Sequence, residues 1–354
     1  MRLLRYVLGE VALLLGATLV LAAGLSAGAG VLGRRAQARA AANLAQQYPV
    51  RRDLARPPEP ALAGDAAGTF LGMSDDLLLA RIRTAPIKKA KVNKGGSSLS
   101  FRLDFADGSR AAFKPAQTNL QTIPRKEVAA YRLCRLLGLI GVPPAAPRSV
   151  TRNELLDHLH PDSLPSLPRI RAETLFNPQG KTLGAVSYWI PEIRDAGLDT
   201  PDGMKKAAAW IKVATPLAPE DESLAAQFSA LVVFDFLAAN PDRFSGGNIK
   251  ASPEGDRLYF MDNTMAFFLA PEGHARNRAW LEATERFSRA LVAALPRVTQ
   301  ARLERLLAAG PDSDGQEILT SGEIRAVVAR REAVQHHIET VIAQYGESNV
   351  LVFP

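Results

Sequence analysis

The sequence predicts an α+β chain of two lobes, a β-rich N-lobe followed by a helical C-lobe, behind one N-terminal membrane helix. Three observations predict it. Strand-period alternation is concentrated before residue 115, helix-period apolar patterns dominate from residue 221 onward, and residues 11–33 carry no charge at all. Strands first and helices afterwards is the order of an α+β domain, not of an alternating α/β one. At 354 residues the chain is long enough for a sizeable core, and charged residues at 22% with hydrophobic residues at 47% exclude a disordered or collagenous chain.

The leader comes first. Residues 11–33 are uncharged and mostly apolar, flanked by Arg2 and Arg5 before and Arg34, Arg35 and Arg39 after. About 20 such residues suffice to cross a hydrocarbon core. The length favours a membrane anchor; Ala27-Gly28-Ala29 also resembles a signal-cleavage site, and a buried core helix is the bland alternative. The flanking charges nearly balance, so they do not orient the segment. Residues 34–69, rich in Ala, Arg and Pro, cannot bury a core and read as a juxtamembrane helix running into a stiff linker.

The formal charge of +7 suggests nucleic acid until its distribution is read. Residues 1–60 hold eight Arg against three acids, so the leader carries most of the excess. No nucleic-acid footprint remains on the domain. A single cysteine, Cys134, excludes an intramolecular disulfide framework and a cysteine-based zinc site.

Within the domain, Ile87 to Val92 can form a strand, and Lys94-Gly95-Gly96-Ser97-Ser98 turns it into the next. Leu99, Phe101, Leu103 and Phe105 alternate with polar residues; Ala106 to Ser109 turns, and Arg110 to Lys114 returns. A helix follows Pro124, with Ala130, Leu133, Cys134 and Leu137 on one face, and stops before Gly141-Val142-Pro143-Pro144. Val186 to Ile190 reads as a strand ended by Pro191. Residues 221–239 form a helix whose second half is apolar all round, hence buried, and Pro241 closes it. Leu258 to Met261 is a short buried strand, and two or three amphipathic helices follow from about residue 276. The predicted organisation is a leader at 1–33, a linker at 34–69, an N-lobe at 70–192 and a C-lobe at 193–354.

Two constellations carry chemistry. Lys114 ends a strand on the face opposite Phe113, and Glu127 lies on the buried stripe of the next helix. A buried carboxylate needs a partner, and Lys114 is the nearest in sequence. Such a pair can hold nucleotide phosphates; two unrelated surface charges are the alternative. The second constellation is FDFLAANPDRFSGGN at 234–248, where a buried helix breaks into a loop presenting Asn240, Asp242, Arg243 and Asn248. Asp262 follows directly after the Leu258–Met261 strand. Phosphoryl transfer needs a carboxylate to orient the acceptor hydroxyl, and an acid and an amide oxygen to hold metal on the phosphates. Asp242, Asp262 and Asn248 supply those types in order. A capped turn is the alternative for a lone Asn-Pro-Asp.

Four ordered segments, FKPAQ at 113–117, RKEVAAYRLCRLLGLIGVPP at 125–144, FDFLAANPDR at 234–243 and FMDNTMAF at 260–267, resemble the secretory-pathway kinase family of the four-jointed kinases and the Golgi casein kinase. That family is distantly similar to HipA-type and phosphoinositide kinases. The likeness runs from about residue 90 to 270. It implies an atypical two-lobed protein-kinase-like fold on a single-pass or secreted chain, with the domain extracytoplasmic (periplasmic or luminal). It also implies ATP and Mg²⁺ or Mn²⁺ as cofactors. By the family motif Lys114 binds phosphates, Glu127 orients it, Asp242 is the catalytic acid/base and Asp262 a metal ligand, with Asn248 as the second. The sequence departs in two places. Gly247 stands five residues after Asp242, where the family's loop asparagine or its substitute typically lies, and Asn248 stands at six. The disulfides of the extracellular members cannot form here.

Weaker signals complete the expectation. Gly95, Gly96 and Ser97 can cover phosphates through backbone N–H groups, and Trp189 and Ile190 can be the hinge that meets adenine. A short Gly-Ser turn and a strand ending at proline would look the same. His336-His337 reads as surface or packing. The expected activity is transfer of the γ-phosphoryl group of ATP to a hydroxyl, with protein Ser/Thr favoured as acceptor and a sugar or lipid as the alternative. A nucleotide-binding pseudokinase is the rival reading.

Overall fold

The computed structural model describes residues 69–245, 247–308 and 315–354, together with Ala38. The chain divides into two units, residues 1–47 and 48–354, and both lobes lie within the second. The expected membrane segment at 11–33 and most of the linker at 34–69 lie outside the described residues. Among the described residues no helix is long and apolar enough to cross a membrane.

A short hairpin, β1 (Thr69–Phe70) with β2 (Met73–Ser74), leads into α1 (Asp75–Thr84), whose first turn is capped by the Ser74 hydroxyl. The N-lobe sheet then builds from β3 (Ile87–Val92), β4 (Phe101–Phe105), β5 (Arg110–Pro115), β6 (Ala145–Thr151) and β7 (Lys181–Tyr188). Its order is β3-β4-β5-β7-β6, antiparallel throughout. Phe101, Leu103 and Phe105 point into the core with Ala111 and Phe113, as their period-2 spacing requires. Helix α2 (Arg125–Leu136) packs with α1 against β6 and β7.

Two departures from the sequence reading have physical causes. The stretch expected to begin a strand at Val186 begins at Lys181 and ends at Tyr188, so Trp189 and Ile190 lie beyond it. Gly184, which obscured the pattern, is there for a close approach: a Cβ on it would sit 2.3 Å from the Lys114 carbonyl oxygen. Residues 145–180, to which no element is assigned from the sequence, contain β6, α3 (Arg152–Leu156) and α4 (Leu167–Glu173). Pro147 hid β6, and it is tolerated because β6 is an edge strand.

The C-lobe opens with β8 (Arg194–Asp195) and α5 (Pro201–Trp210). At its centre is α6 (Glu222–Ala238), in which every residue from Phe228 to Ala238 is buried. Strands β9 (Ile249–Ala251) and β10 (Leu258–Phe260) complete a three-stranded sheet of order β10-β9-β8. Among the described residues five α-helices follow, more than the two or three expected: α7 (Ala275–Ala283), α8 (Arg289–Ala294), α9 (Gln300–Leu306), α10 (Ser321–Tyr345) and α11 (Glu347–Val350). Their side-chain caps at His274, Ser288, Thr299 and Thr320 divide what reads in sequence as longer periodic stretches. His337, on α10, packs edge-on to Phe287 and lies 2.9 Å from the Thr284 carbonyl oxygen.

Candidate active site

The site is built where β5, α2 and the turn after β10 meet. Phe113 anchors β5 in the core, which turns Lys114 to the opposite face. Helix α2 starts after Pro124 and carries Glu127 in its first turn, where a carboxylate also suits the helix dipole. Lys114 Nζ lies 2.9 Å from Glu127 Oε1 and 2.6 Å from Asp262 Oδ1. Burial opposes the lysine's charge, but Glu127 and Asp262 outweigh it and hold the ammonium above the usual lysine range. Burial likewise opposes the Asp262 charge, and the Lys114 ammonium with the Thr264 hydroxyl, 2.8 Å away, brings its pKa to about 2. All three groups are therefore in ionic contact, with Lys114 shared.

Asp262 stands at φ +50°, in the left-handed region that non-glycine residues rarely occupy. Ala239 (φ +49°) and Phe267 (φ +60°) do the same, and the Phe267 N–H donates to the carbonyl of Ala238, the residue before Ala239. Of the four described non-glycine residues with positive φ, these three flank the site. Clustered backbone strain of this kind is typical of functional sites.

Beyond α6 the loop folds on its own side chains. Asn240 Oδ1 accepts the Asp242 N–H at 3.1 Å, and Asn240 Nδ2 donates to the Asp262 carbonyl at 3.2 Å. The Asp242 carboxylate accepts from the Ser245 hydroxyl and from Asn248 Nδ2, the latter at 3.0 Å. The capped turn is thus present together with the constellation. Gly247 adopts φ +72°, and its N–H donates to Asp199 Oδ2 at 3.2 Å. That conformation lets the longer loop return, and the Met261 N–H donates to the Asn248 carbonyl at 2.9 Å. Asn248 is thereby held beside the residue that precedes Asp262.

Arg243 has turned inward. Its side chain is fully buried, and the guanidinium forks onto Asp235 of α6 at 2.9–3.1 Å. It also donates to the Asn248 carbonyl at 3.1 Å, to the Met261 carbonyl, and to Asn263 Oδ1 at 2.6 Å. The sequence placed Arg243 in the loop but missed Asp235 as its partner. An aspartate inside an otherwise apolar buried run was the signal, since such a charge requires a counter-ion. Asn277 Nδ2 bonds the Asp235 and Asn240 carbonyls at 3.1 and 2.9 Å, and no local pattern announced it.

The other two expected elements sit apart from this cluster in their bonding. Gly95 and Gly96 take φ of +88° and +75°, which is why the β3–β4 turn needs them. The turn is clasped by Arg169, whose Nη2 donates to the Ser97 carbonyl at 2.7 Å. Buried Gln117 accepts the Leu99 N–H at 2.8 Å and donates to its carbonyl at 2.9 Å, a role the sequence reading missed. The Trp189 N–H donates to the Arg110 carbonyl at 3.2 Å, continuing the β5–β7 ladder by one residue, while Ile190 is buried with Phe70, Leu78 and Tyr259.

This architecture aligns with the Golgi casein kinase with Mn/ADP bound at a TM-score of 0.59, with 17% identity over 78% of both chains. The chain has the Golgi casein kinase fold. A second Golgi casein kinase structure aligns at 0.58 with 15% identity, covering 78% of this chain and 77% of that one. The structure of hydra Fam20 with sugar aligns at 0.57 with 20% identity, covering 77% of this chain and 90% of that one. No family model and no curated protein matches the sequence. The resemblance read from the four motifs is met by the Golgi casein kinase fold as a whole, with its β-sheet N-lobe and helical C-lobe.

Proposed function

We propose that this chain is a metal-dependent kinase that transfers the γ-phosphoryl group of ATP to a hydroxyl. The observation that carries the reading is Lys114 held between Glu127 and Asp262, with the Asp242 loop tied to the same turn. The donor set fits a hard dication: Asp262, Asp242 and the Asn248 amide are oxygen donors suited to Mg²⁺ or Mn²⁺. Among the described residues no three His, Cys, Asp or Glu side chains converge, which suits a cation bound by one or two protein groups and completed by phosphates. Asp262 and Asn248 would hold it, and when bound it supplies charge neutralisation for the transferring phosphoryl group.

The chain's own residues divide the remaining work. Lys114 presents its ammonium to phosphate oxygens, and Glu127 keeps it there. Asp242, oriented by Ser245 and Asn248, retains lone pairs for an acceptor hydroxyl. As the acceptor oxygen bonds to the γ-phosphorus and the bond to ADP breaks, the hydroxyl proton passes to Asp242. The Gly95–Ser97 turn, clasped by Arg169 and followed by Leu99 held on Gln117, covers the phosphates, and the backbone at Trp189 and Ile190 meets the base.

A protein Ser/Thr acceptor is favoured through the Golgi casein kinase likeness; the likeness to hydra Fam20 with sugar supports a sugar acceptor as the second reading. The N-lobe spans 70–192 and the C-lobe 193–354. The uncharged leader and the Golgi relatives support an anchored domain outside the cytoplasm. The test is transfer of radiolabel from ATP, with Mg²⁺ or Mn²⁺, to panels of protein and sugar acceptors. Label in an acceptor with wild type and none with Asp242→Ala is expected. Nucleotide binding without transfer to any acceptor would favour the pseudokinase.

A further inference from the structure

Asn263, fully buried and next to Asp262, uses its amide at both ends. Nδ2 donates to Glu127 Oε2 at 3.3 Å and to the Phe260 carbonyl at 3.2 Å. Oδ1 accepts from Arg243 Nη2 at 2.6 Å and from Asn240 Nδ2 at 3.4 Å. The four partners fix its orientation: reversed, the amide would set NH₂ against a guanidinium and oxygen against a carboxylate. The two oxygens of Glu127 therefore have separate duties, Oε1 on Lys114 and Oε2 on Asn263.

We infer that Asn263 is a positioning residue that couples the Lys114–Glu127 pair of the N-lobe to the Asp242–Asn248 loop of the C-lobe. The inference rests on the kinase reading above. On the C-lobe side the coupling runs through Arg243, which grips the Asn248 and Met261 carbonyls and Asp235. On the N-lobe side it ends on the carboxylate that orients Lys114. Lys114 is shared with Asp262, so phosphates that draw the ammonium forward loosen one of the two holds on Glu127. Asn263 is the hold that remains. A buried amide whose donors and acceptor are all engaged is stiff, so α2 and the loop are set by Asn263.

The test uses the full 354-residue chain, MnADP titrated calorimetrically, and the ATP dependence of transfer. Asn263→Ala is expected to weaken MnADP binding about tenfold, raise KM for ATP and lower kcat, because a buried bond to a charged group is lost. Combined with Glu127→Gln it should add little to the loss from Glu127→Gln alone, the signature of one coupled unit. Asn263→Ser, which keeps a hydroxyl, carries the same comparison should the alanine variant not fold. A lowered melting temperature with wild-type MnADP affinity in the folded fraction would overturn the inference, and so would losses that add to those of Glu127→Gln. If Glu127→Gln alone weakens binding, the kinase reading stands while the inference falls. A wild type that binds no MnADP removes both.

Discussion

Asn248 donates its side-chain N–H to both Asp242 Oδ2, at 3.0 Å, and the Asp242 carbonyl, at 2.9 Å. The amide nitrogen is thus committed to the acid, and Oδ1 is the end left for a cation. Asn248→Ala is expected to lower turnover at least tenfold and to raise the metal concentration giving half-maximal rate. Initial rates across a Mn²⁺ series check it; a wild-type metal requirement would reduce Asn248 to a cap on Asp242.

Lys114→Met and Glu127→Gln should both abolish most of the turnover but differ in stability. Removing the lysine strands the buried Glu127 carboxylate and takes the counter-ion from the half-buried Asp262, a loss of about 3–5 kcal/mol for the broken buried pair. Glu127→Gln leaves Lys114 its contact with Asp262, so it should cost clearly less. Denaturant titration of the two variants ranks them, and the reverse order would contradict the shared-lysine geometry.

Arg243→Met should destabilise strongly, by about 3–5 kcal/mol, because Asp235 is left charged and buried without its counter-ion. Arg243→Lys should not rescue it, since an ammonium cannot reproduce the fork onto Asp235 and Asn263. Thermal unfolding of both variants is the check.

Lys126 is 4% exposed and meets the Phe268 ring at 5.2 Å, with Glu323 and Arg330 of α10 and its neighbour Arg125 as the charges around it. Burial, partly offset by Glu323, lowers its pKa to about 8. Between pH 8 and the unfolded value near 10.5 the unfolded chain binds the extra proton, so stability rises with pH across that window. Lys126→Met should remove this rise and stabilise the protein at pH 7 by at most about 3 kcal/mol. Urea unfolding at pH 7 and pH 9.5 tests both statements.

The parts of the fold legible in sequence were those written in local periodicity. The β3–β5 meander, α2 and α6 lie within a few residues of their expected bounds because alternation and 3.6-period stripes survive burial. The candidate site was legible in its charges: Lys114 and Glu127 were paired on the argument that a buried acid must find a base, and they lie 2.9 Å apart. What stayed hidden depends on long-range packing. Gly184 and Pro147 weaken the strand pattern locally and make sense only once β5 and the sheet edge are in place. Asn263 and Gln117 are neutral amides whose partners lie far along the chain, and no spacing rule points to such residues.

Lys114, shared between two acids, leaves the ligand-free centre internally countered, and this has a consequence for the order in which ligands are taken up. If Asp262 holds the metal, as proposed, a dication arriving alone would compete for it with an ammonium 2.6 Å away. Phosphates that engage Lys114 remove that competitor, and the cation in turn favours the phosphates. Linkage makes the effect reciprocal: ADP should tighten Mn²⁺ binding by the same factor by which Mn²⁺ tightens ADP. On the proposed reading, free metal should occupy the site weakly when nucleotide is scarce, so swings in metal concentration alone should leave the protein at rest and occupancy should follow the metal–nucleotide complex.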